Sequence, residues 1–276
     1  MSARFSIAMS TLVGFGLLAA ACSSSSDTLS YEEFKAQAYL ETDTGVWIMN
    51  GDELVETEEG LHALYDRYLW SVSEAEDREA GIGTVEQPSI VNQVQGRDDK
   101  WSSSQAQNLT YCVSSSSFGS RYAAVVSAMN NATAAWEGAG RLNFVHVSAQ
   151  DGNCNSRNNN VLFNVRQVST SQYLARAFFP SSSRRGREIL ISVSSFGNIS
   201  PWTLTGVLRH ELGHTIGLRH EHTRPESGVC FEDNNWRALT AYDAKSVMHY
   251  PQCNGTQTGD LTLTTLDRQG ASSLYP

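Results

Sequence analysis

An α+β fold is predicted for the second half of this 276-residue chain, on three observations. Short apolar runs bounded by turn residues recur between residues 108 and 193. One long segment has apolar residues at helical spacing, and a second has clear start and stop signals for a helix. Strands interleaved with one long helix and followed by another suggest a sheet packed against helices. In order, residues 108–113 read as a strand. Residues 120–138 read as a helix, with Tyr122, Val125, Met129, Ala132 and Trp136 on one face and glycines at its end. Residues 142–147 and 161–165 read as further strands. Residues 174–179, stopped by Pro180, and residues 187–193 read as two strands joined by a Ser/Arg/Gly turn. Ser200 can cap the second helix, Pro201 suits its first turn, and Gly217 suits the left-handed position that ends it.

Charged residues are 18% and hydrophobic ones 40%, which supports a sizeable core and excludes wholesale disorder. A net charge of −9 argues against a nucleic-acid partner. That charge is divided. Residues 23–100 carry 18 acids and 5 bases, whereas residues 101–276 carry 11 acids and 14 bases. An acidic segment is thus joined to a weakly basic one, and the two are expected to dock. Weak helical patterning covers residues 31–40 and 61–72. Residues 93–107 have linker composition and contain Arg97-Asp98-Asp99-Lys100, so the boundary is placed there. The expected division is 1–21, 22–107 and 108–276.

The first division is an address. Arg4 precedes an uncharged apolar stretch over residues 5–21 that ends in small residues, as in a secretory signal. The ending Leu17-Leu18-Ala19-Ala20-Ala21-Cys22 resembles a bacterial lipobox, with Ala19 where a larger aliphatic residue is usual. Two readings follow: a lipid anchor at Cys22, giving an outer-membrane or cell-surface lipoprotein, or a plain signal cut near Ala21 and a secreted product. Cys112, Cys154, Cys230 and Cys253 remain, an even number that suits an oxidising compartment. Of their three possible pairings, proximity favours Cys112–Cys154 and Cys230–Cys253.

The chemistry lies in His210-Glu211-Leu212-Gly213-His214. Residues four apart share a helical face, so both imidazoles can converge on one ion. Glu211, about 100° round the helix, can reach a water beside that ion without being a ligand. Gly217 lets the chain reverse, and His220 follows as a third nitrogen. Five of the seven histidines fall between 210 and 249, unlike a random scatter. Three imidazoles favour Zn²⁺ over magnesium or calcium.

The stretch HELGHTIGLRHEH, with Ser246-Val247-Met248-His249-Tyr250 downstream, resembles the extended zinc motif and Met-turn of the metzincin metallopeptidases. His220-Glu221-His222-Thr223-Arg224-Pro225 is most similar to the astacin family, including its bacterial members. Leu218 stands where Phe is usual, and His222 where Gln is usual, which raises the question of a spare ligand. The resemblance covers residues 108–276. It implies a twisted, mostly parallel sheet with two long helices above an irregular lower subdomain, closed by a C-terminal helix within residues 261–275. It implies zinc on His210, His214 and His220, Glu211 as general base, Met248 beneath the metal, and Tyr250 as a displaceable ligand and oxyanion donor. In the family Glu221 is tied to the new amino terminus, and an edge strand, here residues 174–179, pairs with a protein or peptide substrate.

Residues 23–100 are expected to be an inhibitory pro-segment cut near Arg97 to Lys100. Without a cysteine there, a thiolate latch is excluded. Met49-Asn50-Gly51-Asp52 resembles the aspartate latch of astacin pro-segments, while Asn50-Gly51 alone reads as a solvated tight turn. Phe231, Trp236 and Arg237 are expected to shape the substrate pocket. The leading reading is a secreted zinc endopeptidase. The alternative is a catalytically inactive, zinc-containing, peptide-binding surface lipoprotein.

Overall fold

The computed structural model describes residues 28–79 and 90–276. The signal sequence, the lipobox and Cys22 lie outside the described residues. Among the described residues, no helix is long and apolar enough to cross a membrane.

The elements run α1 (Tyr31–Lys35), β1 (Tyr39–Glu41), β2 (Val46–Met49), β3 (Glu53–Val55) and α2 (Glu58–Glu79) in the acidic segment. Then follow β4 (Ile90–Val94), β5 (Arg97–Asp98), α3 (Ser103–Ala106), β6 (Leu109–Val113), α4 (Ser115–Phe118), α5 (Tyr122–Glu137) and β7 (Phe144–His146). The remainder is β8 (Phe163–Val168), β9 (Ala175–Arg176), β10 (Glu188–Ser192), α6 (Leu204–Thr215), β11 (Trp236–Ala238) and α7 (Thr265–Leu274).

The mixed, mainly parallel architecture is as expected. A five-stranded sheet has the order β7-β6-β8-β10-β9, with β6, β7, β8 and β10 parallel and β9 antiparallel at the edge. Every residue of β10 is buried, because both faces of the sheet are covered. On one face Ile189, Ile191, Phe163 and Val165 pack with the apolar stripe of α5 and with Leu208, Leu212 and Ile216 of α6. Trp136 of α5 is fully buried, and its indole N–H donates to the Arg209 carbonyl at 2.8 Å, pinning the two long helices together. On the other face Leu190 meets Ile48 and Tyr173. The covering layer is the three-stranded antiparallel sheet β1-β2-β3 of the acidic segment. The pairings Cys112–Cys154 and Cys230–Cys253 are those favoured by proximity.

Four expectations need correction. Residues 93–107 are not a free linker. β4 pairs with β11 and β5, Val91 and Trp101 join the core, and the Trp101 indole donates to the Thr215 carbonyl at 2.7 Å. Polar composition misleads here because the strand hydrogen bonds are made by backbone, and two apolar side chains suffice to anchor it. The cleavage expected near Arg97 to Lys100 would divide this sheet. The zinc-motif helix starts at Leu204 rather than near Pro201. Thr203 caps it by accepting the Gly206 N–H, and the Asp260 carboxylate accepts from the Thr203 amide and hydroxyl. Regular pairing in the run 174–179 is confined to Ala175 and Arg176, since Ala177 and Phe178 turn into the core. Helical patterning at 31–40 yields only the five-residue α1, whose capping box pairs Ser30 with Glu33.

Candidate active site

α6 carries His210 and His214 on one face, and both are buried. The helix stops where predicted, with Gly217 at φ +96°. The chain then returns through Leu218 and Arg219 to His220. This return is held by β4: Gly217 O accepts from Asn92 at 2.8 Å and Ile90 O from Arg219 at 3.1 Å.

Each imidazole is oriented through its Nδ1. His210 donates to the Val247 carbonyl at 2.7 Å and His214 to the Leu218 carbonyl at 2.9 Å. His220 Nδ1 lies 2.7 Å from Glu232 Oε1. A carbonyl can only accept, so Nδ1–H is the tautomer for the first two, and Nε2 keeps its lone pair. The Nε2 atoms converge, with those of His210 and His220 3.3 Å apart. Asp52 of the acidic segment enters the same point: its carboxylate is 3.2 Å from His210 Nε2, 3.1 Å from His220 Nε2 and 3.7 Å from His214 Nε2. His210, His214, His220 and Asp52 could together hold a metal ion. The fit is supported by His214 Nε2 and Asp52 Oδ1, which are buried with no hydrogen-bond partner. Three inward nitrogens with pinned second nitrogens suit zinc chemically.

Asn50 and Gly51 both have positive φ, so the predicted tight turn is real, and it is also what presents Asp52 between β2 and β3. Burial opposes ionisation of Asp52, yet His220, His214 and His210 hold its carboxyl well below the usual range. Glu211 behaves oppositely. Burial, then the charge of Asp52, pushes it well above the ordinary carboxyl value, and its Oε2 has no hydrogen-bond partner. Tyr250 places its ring 4.5 Å from that of His220 and 5.4 Å from that of His210. Burial, then the neighbouring Asp52, raises the Tyr250 phenol well above its ordinary value.

The Met-turn is anchored from α7. Asp267 accepts from the Ser246 hydroxyl at 2.5 Å and the Val247 amide at 3.0 Å. Glu221 donates its amide to the Met248 carbonyl at 2.9 Å and accepts from the Asp243 amide at 3.0 Å. Met248 is buried, and its sulfur approaches Gly213 so closely that an added Cβ there would lie 2.3 Å away.

His222 is directed away from the converging nitrogens. Its Nε2 is 3.2 Å from Glu232 Oε1, and its Nδ1 accepts the Tyr250 amide at 3.2 Å. Glu232 was not anticipated. It links His220 to His222 and accepts from Arg219 at 2.9 Å. Arg219 also donates to Asp233 at 2.5 Å and lies 3.5 Å from Glu53 of the acidic segment. No local motif marks Glu232, since only folding brings it under His220. The expected pocket residues are elsewhere: Phe231 is exposed, and Arg237 on β11 donates to Asp98 at 2.6 and 2.9 Å. The cavity beside the histidines, about 240 Å³, is lined instead by Tyr173, Ala175, Trp202, Val207, Pro251 and Leu261 among others.

Residues 100–228 match the family model of the matrixins. Two curated proteins from Strongylocentrotus purpuratus are similar over short stretches. Protein SpAN is 33% identical over 81 residues, 22% of this chain and 13% of that protein. A bone morphogenetic protein 1 homolog is 39% identical over 64 residues, 16% of this chain and 10% of that protein. The matched stretches thus span about a tenth of the length of these relatives. Among solved structures, myroilysin aligns at a TM-score of 0.47 and 17% identity, over 68% of this chain and 98% of that chain. The high choriolytic enzyme 1, a hatching enzyme zinc-protease from Oryzias latipes (Medaka fish), aligns at 0.41 and 20% identity, over 64% and 94%. The matrixin match includes the stretch that carries His210, His214 and His220.

Proposed function

We propose that this metzincin-type protein is an exported zinc endopeptidase held latent by its own acidic segment. The observation that carries the reading is the convergence of three Nε2 atoms, each ring pinned through Nδ1, beside Glu211, whose buried Oε2 has no hydrogen-bond partner. His210, His214 and His220 would hold the ion, which when bound supplies Lewis-acid polarisation of the scissile carbonyl and lowers the pKa of water. Glu211 takes a proton from the attacking water and returns it to the leaving amine. Burial raises its carboxyl above the ordinary value, the direction that a group which both takes and returns a proton requires. Tyr250 would donate its phenol hydrogen to the oxyanion and, in the resting enzyme, would be a further ligand to the ion. A binder that does not cut needs neither Glu211 nor Tyr250, which weighs against the alternative reading.

The astacin-like subtype rests on His220-Glu221-His222-Thr223-Arg224-Pro225. Latency is supported by Asp52, whose carboxylate lies 3.1–3.7 Å from the three Nε2 atoms and which lines the cleft together with Gly51. Residues 28–79 would therefore leave before substrate binds. Export is supported by the two disulfides and the apolar start, with Cys22 as the site of a lipid anchor.

The test compares the full chain with Asp52→Ala and with Asp52→Ala/Glu211→Ala, with zinc quantified in each. Asp52→Ala should hydrolyse a quenched peptide that the parent leaves intact. The double variant should be inactive while retaining about one zinc per chain, as expected of a three-histidine site. Hydrolysis unchanged by Asp52→Ala refutes latency, and hydrolysis surviving Glu211→Ala refutes the assigned base.

A further inference from the structure

Arg176 lies on the edge strand β9, beside the cleft, and is 1% exposed. Its only carboxylate hydrogen-bond partner among the described residues comes from the acidic segment: Nη2 donates to Glu41 Oε2 at 2.6 Å and Nε to Oε1 at 3.3 Å. The Tyr173 hydroxyl donates to the same carboxylate. Arg176 Nη1 is buried with no hydrogen-bond partner. Glu188 is the nearby acid of the catalytic part, but its oxygens accept from Arg166 at 2.6 and 3.0 Å and from Asn164. Once the acidic segment leaves, Arg176 loses this carboxylate while its neighbouring acid stays engaged, so its guanidinium fork is open to another anion.

The position makes this relevant to substrate. Tyr173 touches Glu41 on one side and on the other lines the cleft cavity with Ala175, His210 and Glu211. Arg176 also borders a second cavity of about 840 Å³ between the segment and the catalytic part, where Arg157, Arg166 and Arg185 face Asp43 and Glu56. A donor fork, a phenol and a basic surround fit a carboxylate.

We propose that Tyr173 and Arg176 form a carboxylate-selecting subsite of the cleft, filled by Glu41 while the acidic segment is docked and by an acidic side chain of the peptide substrate once it leaves. This rests on the peptidase reading for its substrate, but the subsite itself is testable without hydrolysis.

In the full chain, Glu41→Ala should lower the unfolding temperature, and acetate should restore it while acetamide at equal ionic strength does not. Adding Tyr173→Phe should weaken the rescue several-fold. Equal effects of acetate and acetamide overturn the subsite. In the chain opened by Glu41→Ala with Asp52→Ala, peptides carrying one Glu or one Gln at successive positions are compared. Glu should be preferred by roughly tenfold or more in kcat/KM at one position, the size expected of hydrogen bonds to a charged group, and Tyr173→Phe should reduce that preference. Equal cleavage of Glu and Gln peptides at every position overturns the proposal. Should Glu41→Ala fail to fold, Glu41→Gln with Asp52→Ala carries the peptide comparison. Acetate rescue with no peptide cut by any variant leaves the subsite standing and refutes the peptidase reading instead.

Discussion

The acidic segment and the part that follows it use charge in different ways. Between residues 90 and 276 the charged groups near the site act as struts: Glu232 orients His220, Asp267 holds the Met-turn, and Asp260 sets the start of α6. Within residues 28–79 three carboxylates instead reach outward to groups of the other region. Glu41 meets Arg176, Asp52 meets the histidines, and Glu53 meets Arg219. Three of the segment's acids are therefore placed at buried points of contact with the other region, while Glu32, Glu33, Asp43, Glu58, Glu59 and Asp66 stay exposed. Buried pairs cost desolvation, so they add specificity of placement more securely than they add stability. The apolar contact of Ile48 with Leu190 and Tyr173 supplies the non-directional share of docking.

If the catalytic part is self-sufficient in its chemistry, the largest effect belongs there. Glu211→Gln is expected to lower hydrolysis by roughly 10²–10⁴-fold, measured as kcat on a chain opened by Asp52→Ala, with zinc unchanged. Removing the shared strut comes next. Arg219→Met strands Glu232, Asp233 and Glu53 without their buried cation and should cost about 3–5 kcal/mol in urea unfolding. A smaller effect confined to zinc is expected for Glu232→Gln, which should weaken metal affinity roughly 10–100-fold in chelator competition, because His220 loses its carboxylate.

Acidity separates the regions further. Burial raises Glu221 to about 8, against Arg224, from an ordinary 4.5. The unfolded chain releases this proton near 4.5 and the folded one near 8, so stability falls as pH rises between those values and is level above them. Glu221→Gln should flatten that part of the profile. Asp52 has the reverse sign. Its depressed value stabilises docking above the ordinary carboxyl pKa of 3.8, and that contribution is lost as pH falls below it. Asp52→Asn should remove the acid-side loss. The smallest effect is expected for Asp98→Asn, which breaks a partly exposed pair with Arg237 and should cost about 0.2–1 kcal/mol in thermal unfolding.

Much of this molecule is local enough to be read from residue order. The period of α5 and the converging pair His210 and His214 follow from spacing along a helix, whose geometry is the same wherever it forms, and the reversal that leads to His220 follows from Gly217 just past the helix end. The two disulfides and the α+β class follow similarly from short-range proximity and pattern. Long-range burial decided the rest. Within polar residues 93–107, the pairs Gln93–Asp98 and Val94–Arg97 form strand because backbone pairing outweighs composition, extending a β4 whose Ile90 to Asn92 pair with β11, and Trp101 anchors the segment in the core. Glu232 and Arg176 carry no motif, and their importance arises only when folding removes water around them and leaves specific partners. Asp52 shows both levels: Asn50-Gly51 determines a tight turn by backbone sterics, whereas its tip meets three histidines only because β2 packs on the five-stranded sheet.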